Sequence, residues 1–349
     1  MIFIHTYDSI ISVENILDAW KEFIRDKRKR KDVQEFERNL MQHIFSLHHD
    51  LKTKTYIHGG YQPFKLNDPK PRDIHKASVR DRLLHHAIYR ILYPYFDKTF
   101  IYDSYSCRIG KGTHRAMNRF RYFFRKVSKN NTQTCWVLKC DIRKFFASID
   151  HQILKDILAK HITDKDILWL LNQVIDSFSS KINLSFCHDR KKVIDFERVG
   201  LPLGNLTSQL LVNIFMNEFD QHMKHVLKVK YYVRYADDFV ILSDDKQYLE
   251  IILSQISHFL TEKLKLSLHP DKVFIKIYAS GVDFLGWVHF SHHRVLRTST
   301  KRRMLRNLKR DTRKEVKQSY IGLLTHGNGY EISQKIRFVE NLDTIGHLG

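Results

Sequence analysis

No apolar run in this chain approaches the roughly 20 residues needed to cross a bilayer. The opening stretch Met1-Ile2-Phe3-Ile4-His5-Thr6-Tyr7-Asp8 has neither a basic leader nor a long apolar segment, so no secretion signal is read and a cytoplasmic location is expected. Internal repeats and low-complexity segments are also missing. The four cysteines, Cys107, Cys135, Cys140 and Cys187, form no CxxC pair, which makes buried thiols their simplest reading and leaves a zinc site at Cys187-His188 without partner spacing. Acidic residues are the minority: 38 Asp+Glu against 59 Lys+Arg give a net charge of +21. That excess calls for a polyanionic partner, nucleic acid or an anionic membrane surface, and without a spanning segment the membrane alternative is the weaker one. With 349 residues, 43% of them hydrophobic, the chain can bury a large core in two or three lobes.

The first hundred residues read mainly as helix. Val13 to Phe23 carries an apolar stripe of 3.6-residue period, followed by the basic run Arg25 to Lys31, a solvated face or a contact for a charged partner. Tyr61 to Leu66, with Pro69 and Pro71 beyond, reads as extended and turn-like, and Val79 to Tyr93 as a second amphipathic helix. A glycine-bearing loop, Ser104 to His114, leads into another helix with Thr113 as its expected N-cap. From Gln133 to Phe290 strands and helices alternate: a strand ending at Asp141, a helix after Asp150, a polar insertion at about 179–200, a helix over Ser208 to His225, a hairpin, a helix over Leu249 to Leu264, and two short strands. That mixed order predicts an α+β layer, a sheet backed by helices. The segment Ser291 to Gly349 holds 13 Lys+Arg against 5 Asp+Glu. Within it Met304, Leu305 and Leu308 form a narrow apolar seam on a cationic helix, the pattern of a groove wall.

The chemistry concentrates in Tyr235-Ala236-Asp237-Asp238, between the strand-like runs Tyr231 to Arg234 and Phe239 to Leu242. Adjacent carboxylates at the tip of an apolar hairpin repel each other and resist desolvation unless a cation compensates. Mg²⁺, which takes hard oxygen ligands and one or two protein carboxylates, suits such a site. Asp141, at the end of Trp136 to Cys140, supplies a third carboxylate at a strand end. Two metal ions held by Asp141, Asp237 and Asp238 can clamp a nucleotide and a primer 3′-hydroxyl for nucleotidyl transfer. Asp244-Asp245, by contrast, reads as a solvated turn.

Taken in order, these motifs resemble reverse transcriptases. Tyr-Ala-Asp-Asp is similar to the family's YxDD box, Asp141 to His151 to its first aspartate motif, and Gly200 to Gln209 to its nucleotide- and template-facing motif. The resemblance covers about residues 8–330. It implies a right-hand polymerase: helical fingers with an N-terminal extension over 1–132, a palm of antiparallel sheet backed by helices over 133–290, and a short helical thumb over 291–349. It also implies residue roles. Phe146 would be the steric gate under the sugar, or else ordinary core. Arg72 would grip the triphosphate, or else form a surface ion pair, with Arg80 a weaker candidate for the same pocket. Lys272 would protonate pyrophosphate, or else be an exposed turn lysine. Leu203, Gly204 and Gln209 would face the nucleotide and template. Phe284, Leu285 and Gly286 would form the primer grip, Arg108 and Lys111 would bind template phosphates, and Lys301, Arg302 and Arg306 would line the duplex groove. Mn²⁺ is an expected substitute for the two Mg²⁺ ions.

Where group II intron enzymes typically show QGxxxSP, this chain reads Leu203-Gly204-Asn205-Leu206-Thr207-Ser208-Gln209. That form is similar to reverse transcriptases of diversity-generating retroelements, which copy a template-repeat RNA into cDNA with errors at adenine. The resemblance then implies dNTPs, template RNA and primer as partners, a small basic oligomeric accessory variability protein, and a prokaryotic or phage origin. A retron, group II intron-like or defence-associated enzyme, or an RNA-binding factor with incidental polymerase activity, is the alternative.

Overall fold

A computed structural model of the chain describes residues 3–67, 71–180 and 198–336. Most of the insertion expected at 179–200, Cys187-His188 with its zinc reading, and the end of the C-terminal segment lie outside these residues.

The N-terminal third is a helical layer of α1 (Tyr7–Ile11), α2 (Val13–Phe23), α3 (Lys31–Arg38) and α4 (Leu40–Lys52). A β-hairpin follows, β1 (Tyr61–Leu66) paired antiparallel with β2 (Arg72–Ala77), and then α5 (Val79–Phe96). Helix starts are set locally: the Ser12 hydroxyl accepts from Asn15 N and Ser78 from Asp81 N, each satisfying a first-turn donor. α5 runs through Pro94 in its last turn. α6 (Thr113–Val127) begins where expected, but its N-cap is Gly112. Thr113 is already helical and donates its hydroxyl to Tyr235 Oη at 3.2 Å, so its side chain serves a tertiary contact rather than the cap.

The remaining elements are β3 (Trp136–Asp141), a 3₁₀ turn (Phe145–Ser148), α7 (His151–His161), α8 (Lys165–Asp176), α9 (Leu206–Gln221), β4 (Tyr232–Tyr235), β5 (Asp238–Ser243) and α10 (Lys246–Leu264). β6 (Phe274–Ile277) closes the sheet, whose antiparallel order is β4-β5-β3-β6. β3, β4 and β5 are buried on both faces, which explains their nearly continuous apolar runs, while β6 at the edge is partly exposed. Alternation sorts the side chains: Leu138, Cys140, Tyr232, Phe239 and Ile241 join the large core built with α7, α9 and α10. Val137, Val233, Val240 and Leu242 face a second core with Phe120 and Phe124 of α6.

A three-stranded sheet of β7 (Val282–Phe284), β8 (Trp287–His289) and β9 (Arg294–Leu296) precedes α11 (Thr298–Arg310) and α12 (Lys314–Leu324). Where the sequence reads as one short strand over Val282 to Val288 with the primer-grip β-turn at Phe284 to Trp287, a turn in which Leu285 and Gly286 take positive φ separates β7 from β8. Of the apolar seam on α11, Met304 is buried and Leu308 partly so, packed with Trp287, Ile321 and Leu324, whereas Leu305 points to solvent. Met304 and Leu308, four residues apart, already fill the narrow buried stripe.

A polar cluster ties the hairpin to α5. Asp81 is buried and accepts from Tyr56 Oη (2.8 Å), Gly59 N (3.1 Å) and Ser78 Oγ (2.6 Å), and His58 Nε2 lies 3.3 Å from His85 Nε2. Burial pushes the His85 ring down to about 3, with His58 and His86 adding to the shift and Asp81 opposing it. The unfolded chain therefore takes up this proton first, so the stabilisation is complete above pH 6.5 and is lost as pH falls toward 3. Relative to pH 7, this one ring is expected to cost about 2–3 kcal/mol of folding free energy at pH 4.5. Urea unfolding at both pH values checks it: in His85→Gln the gap should shrink by about that amount, and an unchanged gap would assign the acid sensitivity elsewhere.

Candidate active site

Antiparallel register brings the distant carboxylates together. Asp141, the last residue of β3, is the direct cross-strand partner of Asp238, the first of β5, and Ile142 N donates to Asp237 O at 3.1 Å. The ends of two central strands thus converge at one end of the sheet, although 96 positions separate Asp141 and Asp237 in sequence. Ala236 sits at the hairpin tip with φ +56°, a left-handed conformation that a non-glycine residue adopts at a cost of about 1 kcal/mol. Its carbonyl is held by Arg234 Nη1 at 3.1 Å.

The electrostatics are those of carboxylates in want of a cation. Burial pushes Asp238 up to about 7, with Asp237 and Asp141 adding repulsion and Lys139 opposing it. Asp237 is raised as well, first by burial and then by Asp141. Lys272 Nζ sits 2.7 Å from Asp141 Oδ1, and Lys139 Nζ lies 3.5 Å from Asp238 Oδ1. That second contact is a through-space ion pair: Asp238 Oδ1 is buried without a hydrogen-bond donor. An orphaned hard oxygen among carboxylates that raise one another fits a divalent cation. As the side chains stand, no three His, Cys, Asp or Glu groups among the described residues are gathered into a finished cage. The two lysines face Asp141 and Asp238 instead.

A cleft of about 850 Å³ is bounded by Leu66, Asn67 and Arg72 of the hairpin, Thr113, the Leu285-Gly286 turn, and α11; the three aspartates are not among its lining residues, and Arg72 and Thr113, which bonds Tyr235, link it to their hairpin. Of the sequence candidates, Arg72, Leu285, Gly286 and Arg306 line it. Arg72 also stabilises the charge on Asp237 at a distance. Phe146 is half-buried beside Phe145, ring centroids 5.6 Å apart. Leu203 is half-buried and its carbonyl accepts from His75 N at 3.1 Å; Gln209 is half-buried in the first turn of α9. Gly204 has φ +100°, and a Cβ there would come within 2.8 Å of Ile74 Cγ2. The close approach it allows in this structure is to the hairpin, where the sequence suggested the base pair.

Other candidates are placed differently. Arg80 pairs with Asp50 and stacks over Tyr56, so it serves the helical layer rather than the cleft. Arg108 is tied to the Asp97 carboxylate (2.7 Å) and to the Ile101, Ser104 and Asp97 carbonyls, which leaves its guanidinium no role as a phosphate ligand. Lys111 donates to Tyr102 O at 2.8 Å and rests over the Tyr102 ring. Phe284 is fully buried core. Lys301 and Arg302 are exposed on α11 but are not among the cleft-lining residues, which on this helix are Ser299, Thr300, Arg303, Arg306, Asn307 and Arg310. The i, i+3, i+4, i+7 spacing of that set was available in the sequence once Met304 marked the buried side.

A family profile described as reverse transcriptase (RNA-dependent DNA polymerase) matches residues 65–289, well over half of the chain, and the chain belongs to that family. Its fold of helices with antiparallel sheets is that of the right-hand polymerases in this family. Among curated relatives, the Escherichia coli (strain K12) Protein YkfC is 26% identical over 280 residues, covering 69% of each chain. The Lactococcus lactis subsp. cremoris Group II intron-encoded protein LtrA is 24% identical over 285 residues, 64% of this chain and 45% of that protein. This chain therefore spans less than half of the intron protein it matches. The telomerase of Candida albicans, solved in complex with a fragment of telomeric RNA, superposes with a TM-score of 0.50 at 12% identity, over 71% of this chain and 46% of that one, a likeness of fold alone. Among the described residues no helix is long and apolar enough to cross a membrane.

Proposed function

We propose that this protein is an RNA-directed DNA polymerase whose chemistry is carried by Asp141, Asp237 and Asp238. The observation supporting this most directly is the convergence of these carboxylates at the ends of β3 and β5, linked through the charge of Arg72 on Asp237 to a cleft walled by Arg72 and the arginines of α11. In this reading residues 1–132 form the fingers, 133–290 the palm and 291–349 the thumb. The three carboxylates would hold two divalent ions, Mg²⁺ or its substitute Mn²⁺, which when bound neutralise charge on the triphosphate and lower the pKa of the primer hydroxyl.

The other steps belong to the side chains. Arg72, on the wall of the cleft, offers a planar fork to phosphate oxygens. Lys272, held at Asp141, keeps a proton at Nζ close to where pyrophosphate departs. Phe146 limits the space under the sugar, and the Leu285-Gly286 turn supports the primer end. Arg303, Arg306 and Arg310 contact the duplex backbone, so affinity should fall steeply with salt.

Within the family, we propose the diversity-generating retroelement role: copying of a template-repeat RNA with errors at adenine, in concert with a small basic accessory protein. Leu203 supports it, because an apolar side chain stands where an amide would otherwise test the nascent pair. A group II intron-like role is the second reading, favoured by the intron proteins among the relatives. Primer extension on an RNA template with dNTPs and Mg²⁺ tests the polymerase reading, and failure to extend on any template would end it. On the same assay Leu203→Gln is expected to lower misincorporation opposite adenine several-fold. An unchanged adenine error rate would remove the fidelity argument and leave the intron-like reading standing.

A further inference from the structure

We propose that His151 is a positioning residue for sugar selection, pinning the Gly200 carbonyl and so fixing the backbone strap against which Phe146 rests. The inference depends on the polymerase reading and on Phe146 as the gate.

The strap is residues 198–205. On one side it is laced to the turn that carries Phe146: His151 N donates to Arg198 O (3.1 Å), Gly200 N to Ile149 O (2.8 Å) and Leu201 N to Phe146 O (2.8 Å). Ser180 closes the same edge, its hydroxyl donating to Ala147 O at 2.7 Å. At the far end the strap meets β2, with His75 N donating to Leu203 O at 3.1 Å and Asn205 Nδ2 to His75 O at 3.0 Å. One peptide segment thus spans from the gate residue to the strand that bears Arg72.

His151 holds the middle of this segment. Its Nε2 lies 2.7 Å from Gly200 O, and because a carbonyl can only accept, the proton must be on Nε2. The ring is almost wholly buried, and Nδ1, which makes no hydrogen bond, lies 3.5 Å from Asp176 Oδ1. Asp176 is itself fixed by Lys155 Nζ at 2.7 and 2.8 Å and approached by Arg198 Nη1 at 3.6 Å. The strap is closely packed at Gly200. Gly200 has φ +100°, and a Cβ there would sit 2.6 Å from Ser180 Oγ and 3.3 Å from Ala147 O. Were the ring needed only for packing, its reach across 49 positions to the peptide adjoining Leu201 would have no consequence for Phe146. Because Leu201 N holds the Phe146 carbonyl, loss of the Gly200 anchor lets the strap rotate and the Phe146 ring withdraw from the sugar. A shift well under 1 Å suffices to alter reactivity at such a contact.

Single-nucleotide incorporation on an RNA template, with each dNTP and its matching rNTP, tests this. Variants are His151→Leu, His151→Gln, Phe146→Ala and the double variant Phe146→Ala/His151→Leu. His151→Leu is expected to lower the dNTP/rNTP ratio of kcat/KM about tenfold, the scale of one buried hydrogen bond. His151→Gln keeps a donor and should restore most of the ratio. The double variant should be no less selective than Phe146→Ala alone, since His151 acts through that ring. A merely structural role would lower both substrates together and leave the ratio unchanged. If Phe146→Ala relaxes selection while His151→Leu keeps the wild-type ratio, the inference fails and the gate stands. If Phe146→Ala changes nothing, gate and inference fall together, and a wild-type protein that incorporates neither substrate overturns the polymerase reading. Should His151→Leu fail to fold in a thermal melt, His151→Asn, too short to reach Gly200, carries the same comparison.

Discussion

Asp238→Asn is expected to abolish nucleotide incorporation, by at least about a thousandfold, while making the chelator-treated protein more stable. The two effects share one origin. Asp238 is mostly enclosed, opposite Asp141 in register, with an oxygen that no donor satisfies. Its carboxyl is pushed up to about 7, so above that pH the fold holds a charge it disfavours. The sign follows from linkage: a carboxyl raised in the folded state binds its proton more tightly there, so stability is full below the unfolded value near 3.8 and is lost as pH rises through 7. The loss is bounded by about 4 kcal/mol, and partial solvent access at the strand end reduces it. Asparagine keeps the shape and removes the charge. Thermal melts with a chelator should therefore show the variant above the wild type at pH 8 and level with it at pH 4. Added Mg²⁺ should raise the wild type and leave the variant nearly unmoved. A variant that is inactive but no more stable at pH 8 would mean that the repulsion among Asp141, Asp237 and Asp238 is already relieved by Lys139 and Lys272.

The parts of this site that were legible in the sequence are those carried by one strand or one turn. Strand-like apolar runs located β3 and β5, the double aspartate located the hairpin tip, and Asp150 marked a helix start, because each signal is local. What escaped are choices made between segments. Arg80 and Arg108 look like phosphate ligands until Asp50 and Asp97 claim them. An arginine's partner depends on what the fold brings near, and a linear pattern does not contain that. The three-stranded sheet was underread for a related reason: Leu285-Gly286 breaks an apolar run with a turn that needs positive φ at both residues. The supports of the site were invisible for the same cause. His151 meets Gly200, and Asp220 meets Arg234, only after helices have packed on the sheet. Leu203 shows the intermediate case. Its identity could be read at once, but its carbonyl's attachment to His75 of the hairpin could not.

The largest expected effect on stability lies at Arg234. Both Arg234 and Asp220 have fully buried side chains, joined by Nη2 to Oδ2 at 2.6 Å and Nε to Oδ1 at 2.8 Å. Tyr232 Oη donates to the same carboxylate at 2.7 Å, and Ser104 Oγ accepts from Arg234 Nη2 at 3.0 Å. Arg234→Met leaves Asp220 charged and uncompensated in the core, which should cost about 3–5 kcal/mol in urea unfolding. The pair has a second duty, because Arg234 Nη1 also holds the carbonyl of Ala236 at the strained tip that presents Asp237 and Asp238. A double variant separates the two. Arg234→Met/Asp220→Leu carries no buried charge and should regain most of the lost stability, since apolar replacement of a buried ion pair is often neutral or better. Its incorporation rate should remain depressed by about ten- to a hundredfold, with KM for dNTP little changed, because Ala236 still lacks its donor and the carboxylates are presented in more than one orientation. Full activity in the double variant would show that the hairpin tip holds itself without Arg234. No regain of stability would show that the single variant's loss came from packing around the guanidinium rather than from the stranded carboxylate.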